Sequence, residues 1–133
     1  MTAESEVRVN VDPMPKVLGR PQDFRTIFRN LFSNAYKYRA SDRPLAITVH
    51  AGYLSGSNVC VEISDNGQGV SADDLSRIFV PGYRAERHHG TDGTGQGLAI
   101  VKSEVERLGG AVRASSDLGE GTTIYLELPG PDS

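Results

Sequence analysis

Between Gln22 and Ala40 the chain carries two different stripes at one helical spacing, and few folds can use both. At roughly 100° per residue, Phe24, Ile27, Phe28, Leu31 and Ala35 fall on one apolar face, which requires a core to cover it. Asn30, Asn34, Lys37 and Tyr38 follow at i, i+4, i+7 and i+8 on the adjoining face. Asparagine is only a moderate helix former, so two of them in mid-helix point to a task. A carboxamide oxygen can ligate a hard cation, and a lysine can meet phosphate. Taken alone, the second stripe reads more simply as a solvated polar face with a core tyrosine.

The totals narrow the setting. A length of 133 residues fits one domain with one core, so 1–133 is read as a single unit. A net charge of −3 without a basic run argues against a nucleic-acid or anionic-membrane partner. The single cysteine, Cys60, excludes an internal disulfide and a multi-cysteine metal site, and its strand-like surroundings suggest a small buried filler. No signal peptide is visible and no apolar run approaches about 18 residues, so the expectation is a cytoplasmic chain without direct membrane contact. The glycines are concentrated from Gly67 onward and need a local explanation.

Val7 to Val11 alternates weakly, as an edge strand does. Pro21 is placed for the start of the first helix, which the pattern carries to Ala40. Ser41-Asp-Arg-Pro is a loop. Ile47, Val49, Ala51 and Tyr53 alternate as a half-buried strand, Leu54 to Asn58 is hairpin chemistry, and Val59, Val61 and Ile63 return. Ser71-Ala-Asp-Asp opens a helix leading through Leu75 to Ile78 and Phe79, stopped by Pro81-Gly82. Tyr83 to Gly93 has no periodicity and reads as a mobile loop. A third helix buries Leu98, Val101, Val105 and Leu108 and is capped by Gly109-Gly110. Ala111 to Ser116 and Thr122 to Leu128 are strands around a glycine turn. The order β-α-β-β-α-α-β-β predicts an α+β, two-layer sandwich, with a mixed, mostly antiparallel sheet and three helices on one face.

Two glycine loops interrupt this pattern. Asp65-Asn-Gly-Gln-Gly follows a strand, where glycines admit close backbone approach and an aspartate can accept from an exocyclic amine such as that of adenine. The same five residues are also an ordinary turn. Gly93-Thr-Gly-Gln-Gly precedes a helix whose free N–H groups suit phosphate, yet neither a P-loop nor a dinucleotide fingerprint is complete. Arg84 and Arg87 in the loop between can reach phosphate, whereas His88 and His89 lack the further ligands a metal site needs. His50, alternating within a strand, reads as structural or exposed.

Individually soft, these signals are specific in their order. RNLFSNAYKY, DNGQG, RIFVPGYR, GTGQGLAIVK and GEGTT resemble the N, G1, F, G2 and terminal-strand motifs of histidine-kinase catalytic domains. That family shares the Bergerat ATP-binding fold of gyrase, Hsp90 and MutL, and the resemblance covers roughly residues 5 to 129. KYRASDRPLAITV and RIFVP also resemble light-regulated, phytochrome-type kinases. The resemblance implies ATP and Mg²⁺ as ligands, with Asn34 on the metal, Lys37 on phosphate and Tyr38 near adenine or ribose. It implies Asp65 on the adenine amino group, Gly67 and Gly69 shaping that wall, and Ile78 lining the pocket. Tyr83 and Arg84 would come from the edge of a flexible ATP lid, Arg84 toward phosphate. Thr94, Gly95, Gln96, Gly97 and Leu98 would wrap the phosphates, and either Thr122 or Thr123 would support Asp65. The F motif usually has a second phenylalanine where this chain has Gly82, which implies a less firmly packed lid.

No helical segment carries a histidine with an acid beside it, so these residues are expected to be the catalytic part of a larger kinase, without its phosphoacceptor domain. The implied partners are a His-containing dimerisation domain and, downstream, a response-regulator receiver domain; the isolated chain is expected to be monomeric. Two other functions share the fold. Gyrase-, Hsp90- or MutL-type ATPases use a glutamate base one turn before the metal asparagine, and anti-sigma-factor serine kinases usually have an acid there. Here that catalytic position is Asn30, which has no useful basicity.

Overall fold

The computed structural model describes residues 7–54, 56–82 and 97–130. Among them the elements follow the predicted order. They are strand β1 (Val7–Val11), helix α1 (Pro21–Lys37), strands β2 (Leu45–Tyr53) and β3 (Val59–Asp65), helices α2 (Ala72–Leu75) and α3 (Gly97–Arg107), and strands β4 (Ala111–Asp117) and β5 (Gly121–Leu128). The sheet order is β1-β2-β3-β5-β4. β1 is parallel to β2; every other neighbouring pair is antiparallel. The lid expected at Tyr83 to Gly93 lies outside the described residues, as do Arg84, Arg87, His88 and His89.

Alternation along β3, the central strand, decides the two faces. Val59, Val61 and Ile63 are buried beneath Ile27 and Leu31 of α1 and Val101 and Val105 of α3. Cys60, Glu62 and Ser64 point the other way. Cys60 is thus half-buried on the face opposite α1 and α3, not the buried filler expected, because it shares parity with Glu62 rather than Val61. The same face carries His50, Glu62, Tyr125 and Arg113 in one cross-strand row, with the Arg113 guanidinium 4.0 Å from the Tyr125 ring centre. His50 is exposed and pairs with Asp12.

Two helices are shorter than their patterns predict. α1 ends at Lys37, not Ala40, because the Tyr38 carbonyl accepts from the Gln68 N–H (2.9 Å) instead of continuing the helix. Ser71 caps α2 as expected, accepting from the Asp74 N–H at 3.2 Å. The helix lasts only to Leu75; Arg77 and Val80 then donate three residues back, to Asp74 and Arg77, so Ile78 and Phe79 reach the core from a tight turn. α3 stops at the glycine pair, where the Gly110 N–H donates to the Val105 carbonyl at 2.9 Å.

α3 lies antiparallel along α1, and a buried charge fastens one end. Asp23, only 5% exposed, accepts from the Arg20 N–H (3.1 Å), the Arg20 guanidinium (3.4 Å) and Arg107 at the end of α3 (2.7 Å). Arg107 also donates to Glu104 at 2.6 Å. The Arg20 N–H, and after it Arg107, hold the Asp23 carboxyl below the ordinary carboxylate range. A carboxyl with a depressed folded-state pKa stabilises above its unfolded-state value, and that contribution is lost as pH falls through the folded-state value. Asp23→Asn is therefore expected to be less stable than the parent to urea at neutral pH. The gap should close in acid below the ordinary carboxylate range.

Candidate functional site

The last turns of α1, the end of β3 and the start of α3 meet at one end of the sheet. Gly97 places its backbone near Asn30: a side-chain carbon there would lie 3.5 Å from Asn30 Oδ1. One turn further along α1 is Asn34, and one turn beyond that Tyr38, whose carbonyl abuts Gly67. The polar stripe read in the sequence thus runs from the start of α3 to the loop after β3. Asn34 is half-buried and Lys37 exposed, and neither side chain has a hydrogen-bond partner among the described residues. Asn30 differs, since its Nδ2 donates to the Thr26 carbonyl at 2.7 Å, which ties it to its own helix. Lys37 in the last turn also suits the helix dipole, with or without an anion beside it.

Asp65 is the last residue of β3 and shares the helix-covered face with Ile63 and Thr122. Its Oδ1 accepts from the Gly67 N–H at 2.8 Å and the Thr122 N–H at 3.3 Å. Oδ2 receives neither bond and retains its capacity to accept. Burial raises the Asp65 carboxyl above its ordinary value, against the two N–H donors that lower it. The glycines around it stand where neighbouring backbone packs too closely to admit a side chain. A carbon on Gly67 would stand 2.7 Å from the Tyr38 carbonyl oxygen. Gly69 has φ +71° and would meet the Asp117 carbonyl oxygen at 2.2 Å.

The two threonines separate by parity. Thr122 lies on the Asp65 side, and its hydroxyl is 2.9 Å from Ser116, which accepts from the Val70 N–H (2.8 Å) and donates to the Gly121 carbonyl (2.7 Å). Thr123 faces the other side of the sheet, with its hydroxyl 2.9 Å from Ser64. Ile78 and Leu98 are buried in the common apolar cluster. Gly82 takes φ +79°, a backbone that a phenylalanine adopts only with strain. Tyr83, Arg84, Thr94, Gly95 and Gln96 lie outside the described residues.

Three supporting residues were not singled out from the sequence. Asn66 accepts from the Ala46 N–H (2.8 Å) and donates to the Pro44 carbonyl (3.0 Å). Arg43 donates to the carbonyls of Asn66, Gly67 and Gly119, and Ser116 joins β4 to the segment after Gly69. The Arg43 contacts span 23, 24 and 76 positions, so no local spacing reveals them. Asn66 sits inside the motif, where an asparagine before a glycine is ordinary turn chemistry.

Residues 19–132 match the family described as histidine kinase-, DNA gyrase B-, and HSP90-like ATPase. The chain belongs to that family. This histidine-kinase-type domain is 34% identical to cyanobacterial phytochrome A from a Nostoc species over 128 residues, 96% of its own length and 16% of the relative's. It superposes on a mycobacterial sensor histidine kinase, MprB, with a TM-score of 0.84 and 25% identity, covering 98% of this chain and 88% of that one. Full-length ShkA, solved in complex with AMPPNP, matches with a TM-score of 0.77 and 31% identity, over 96% of this chain and 26% of its own. The domain thus spans a small part of the phytochrome and of ShkA. Among the described residues, no helix is long and apolar enough to cross a membrane.

The raised Asp65 carboxyl has a consequence for stability. A carboxyl with a raised folded-state pKa supports folding below its unfolded-state value, and that support is lost as pH rises through the folded-state value. Ionising Asp65 therefore opposes folding. Asp65→Asn keeps an oxygen for both N–H donors and removes the charge. Without ligand it is expected to melt no lower than the parent at neutral pH, with a flatter decline from weak acid upward. A melting temperature clearly below the parent's at neutral pH would show that the ionised form is needed by the fold.

Proposed function

We propose that this domain binds Mg²⁺-ATP and donates the γ-phosphoryl group to a histidine on a separate dimerisation domain of a sensor kinase. A response-regulator receiver domain then takes the phosphoryl group, and the isolated domain is monomeric. The observation that carries this reading is the Asp65 carboxylate. Two backbone N–H groups hold one oxygen and leave the other to accept, beside glycines at which the backbone packs closely around the carboxylate. An acceptor of this kind selects the amino group of adenine over the carbonyl of guanine. The relatives' descriptions as sensor kinases, and AMPPNP in the ShkA complex, point the same way.

The remaining roles follow from placement and family resemblance. Gly67 and Gly69 form the wall beside the base, Ile78 supplies apolar lining, and Tyr38 lies toward the adenine or ribose. Thr122 rather than Thr123 supports Asp65, since only Thr122 faces it. Asn34 offers a neutral oxygen donor suited to Mg²⁺, and Lys37 a cation suited to phosphate. Gly97 and Leu98 begin α3, whose first-turn N–H groups suit anionic oxygens. Thr94, Gly95 and Gln96 would complete that wrap, with Tyr83 and Arg84 contributing from the lid. When bound, Mg²⁺ supplies neutralisation of phosphate charge.

The domain's own part is positioning, not activation of water. Asn30 stands where a water-activating ATPase of this family needs a base, and its amide is tied to Thr26. General-base help is worth roughly 10² to 10⁴ in rate, so hydrolysis is slow without it. The test mixes this domain, labelled ATP and Mg²⁺ with a separately made dimerisation domain of the kinase that carries it. Label is expected on that domain's histidine, lost with Asn34→Ala. Rapid ATP hydrolysis by the domain alone, lost with Asn30→Ala, would instead favour the ATPase reading.

A further inference from the structure

We infer that Arg43 is a positioning residue of the nucleotide site: its guanidinium ties the loop after β3 to the turn before β5 and so aims the Asp65 carboxylate. The inference deepens the ATP-binding reading and rests on it. Arg43 lies outside the pocket-forming set, in the loop between α1 and β2, with its side chain 32% exposed. Its Nε donates to the Asn66 carbonyl at 2.8 Å, and one Nη2 donates to both Gly67 (3.0 Å) and Gly119 (2.7 Å). The other terminal nitrogen donates to Asp42 at 3.2 Å.

The three carbonyls belong to two separate segments, and Asp65 depends on the distance between them. One N–H on its Oδ1 comes from Gly67, in the first segment; the other comes from Thr122, just past the second. If the segments separate, the carboxylate keeps at most one of its two donors and turns. Arg43 opposes that separation from outside. Among the described residues the loop and the turn are also tied through the backbone, by the Gly119 N–H donating to the Gln68 carbonyl at 2.7 Å. Arg43 is itself held in place. Pro44 fixes the next φ, and the Pro44 carbonyl accepts from the Asn66 amide, so loop and clamp position each other. A guanidinium presents its donors in one rigid plane and bonds to it are charge-assisted. An ammonium is a compact point donor and does not span the same three carbonyls.

The experiment compares the parent, Arg43→Ala and Arg43→Lys at a temperature where each is folded. Calorimetry gives the Kd for a non-hydrolysable ATP analogue and for its guanine counterpart, both with Mg²⁺. Nuclear magnetic resonance follows the amide protons of Gly67 and Thr122. Arg43→Ala is expected to weaken the adenine nucleotide about tenfold, equivalent to ~1.4 kcal/mol. The guanine nucleotide should lose less, so the adenine preference shrinks, and both amide resonances should move. Arg43→Lys should fall between the two. Variants that melt earlier yet keep the parent's adenine preference and amide resonances would overturn the inference, leaving Arg43 a stabiliser of the fold alone. If Arg43→Ala does not fold, Arg43→Lys decides by the same readouts. A parent that binds neither nucleotide would sink the ATP-binding reading, whereas unmoved resonances would sink the clamp itself.

Discussion

The functional end of this fold depends on one uncomfortable charge. β3 runs through the middle of the sheet and ends in Asp65, on the face the helices cover. Partial burial disfavours the ionised carboxylate, and two N–H donors on one oxygen offset that only in part. Around it the chain withholds side chains. Gly67 faces the Tyr38 carbonyl, and on the other side a carbon on Gly121 would lie 2.0 Å from the Asp65 carbonyl oxygen. A ligand amine that donates to the remaining oxygen would satisfy what folding leaves unmet. A carboxylate held this way would favour ligand binding over fold stability, as the proposed nucleotide site requires.

α1 explains why the rest can be so economical. Its apolar stripe is roofed by sheet and α3, and its polar stripe borders the site without a separate element to carry it. Registration of the two helices fixes both at once. The Asp23–Arg107 contact holds one end of the pair, and the approach of Gly97 to Asn30 marks the other. Asn30 and Asn34 look alike in sequence and differ in state. One amide is tied to the preceding turn, while the other has no partner among the described residues.

Most of the fold was legible because period and punctuation agreed. Alternation in Val59 to Ile63, the helical stripe from Phe24 to Ala35 and the glycine pair after α3 each named an element that formed. The departures trace to long-range partners. Gln68 captures the Tyr38 carbonyl and ends α1 early, and no local pattern announces that. Parity alone separates Thr122 from Thr123 and Cys60 from Val61, but parity needs the strand register, which a one-residue shift reverses. Asp65 was legible from its glycines. Arg43 was not, because its three acceptors are main-chain groups that any sequence possesses. Asp23 was missed because a carboxylate in the first turn of a helix is ordinarily a surface residue favoured by the dipole.

The central claim is that Asp65 reads the base while Asn34 faces the metal. A crystal structure of this chain with Mg²⁺ and a non-hydrolysable ATP analogue tests it most directly. The account predicts the adenine amino nitrogen within hydrogen-bond distance of an Asp65 carboxylate oxygen, with the Asn34 oxygen on the metal. An adenine ring bound away from Asp65, or a metal held without Asn34, would contradict it.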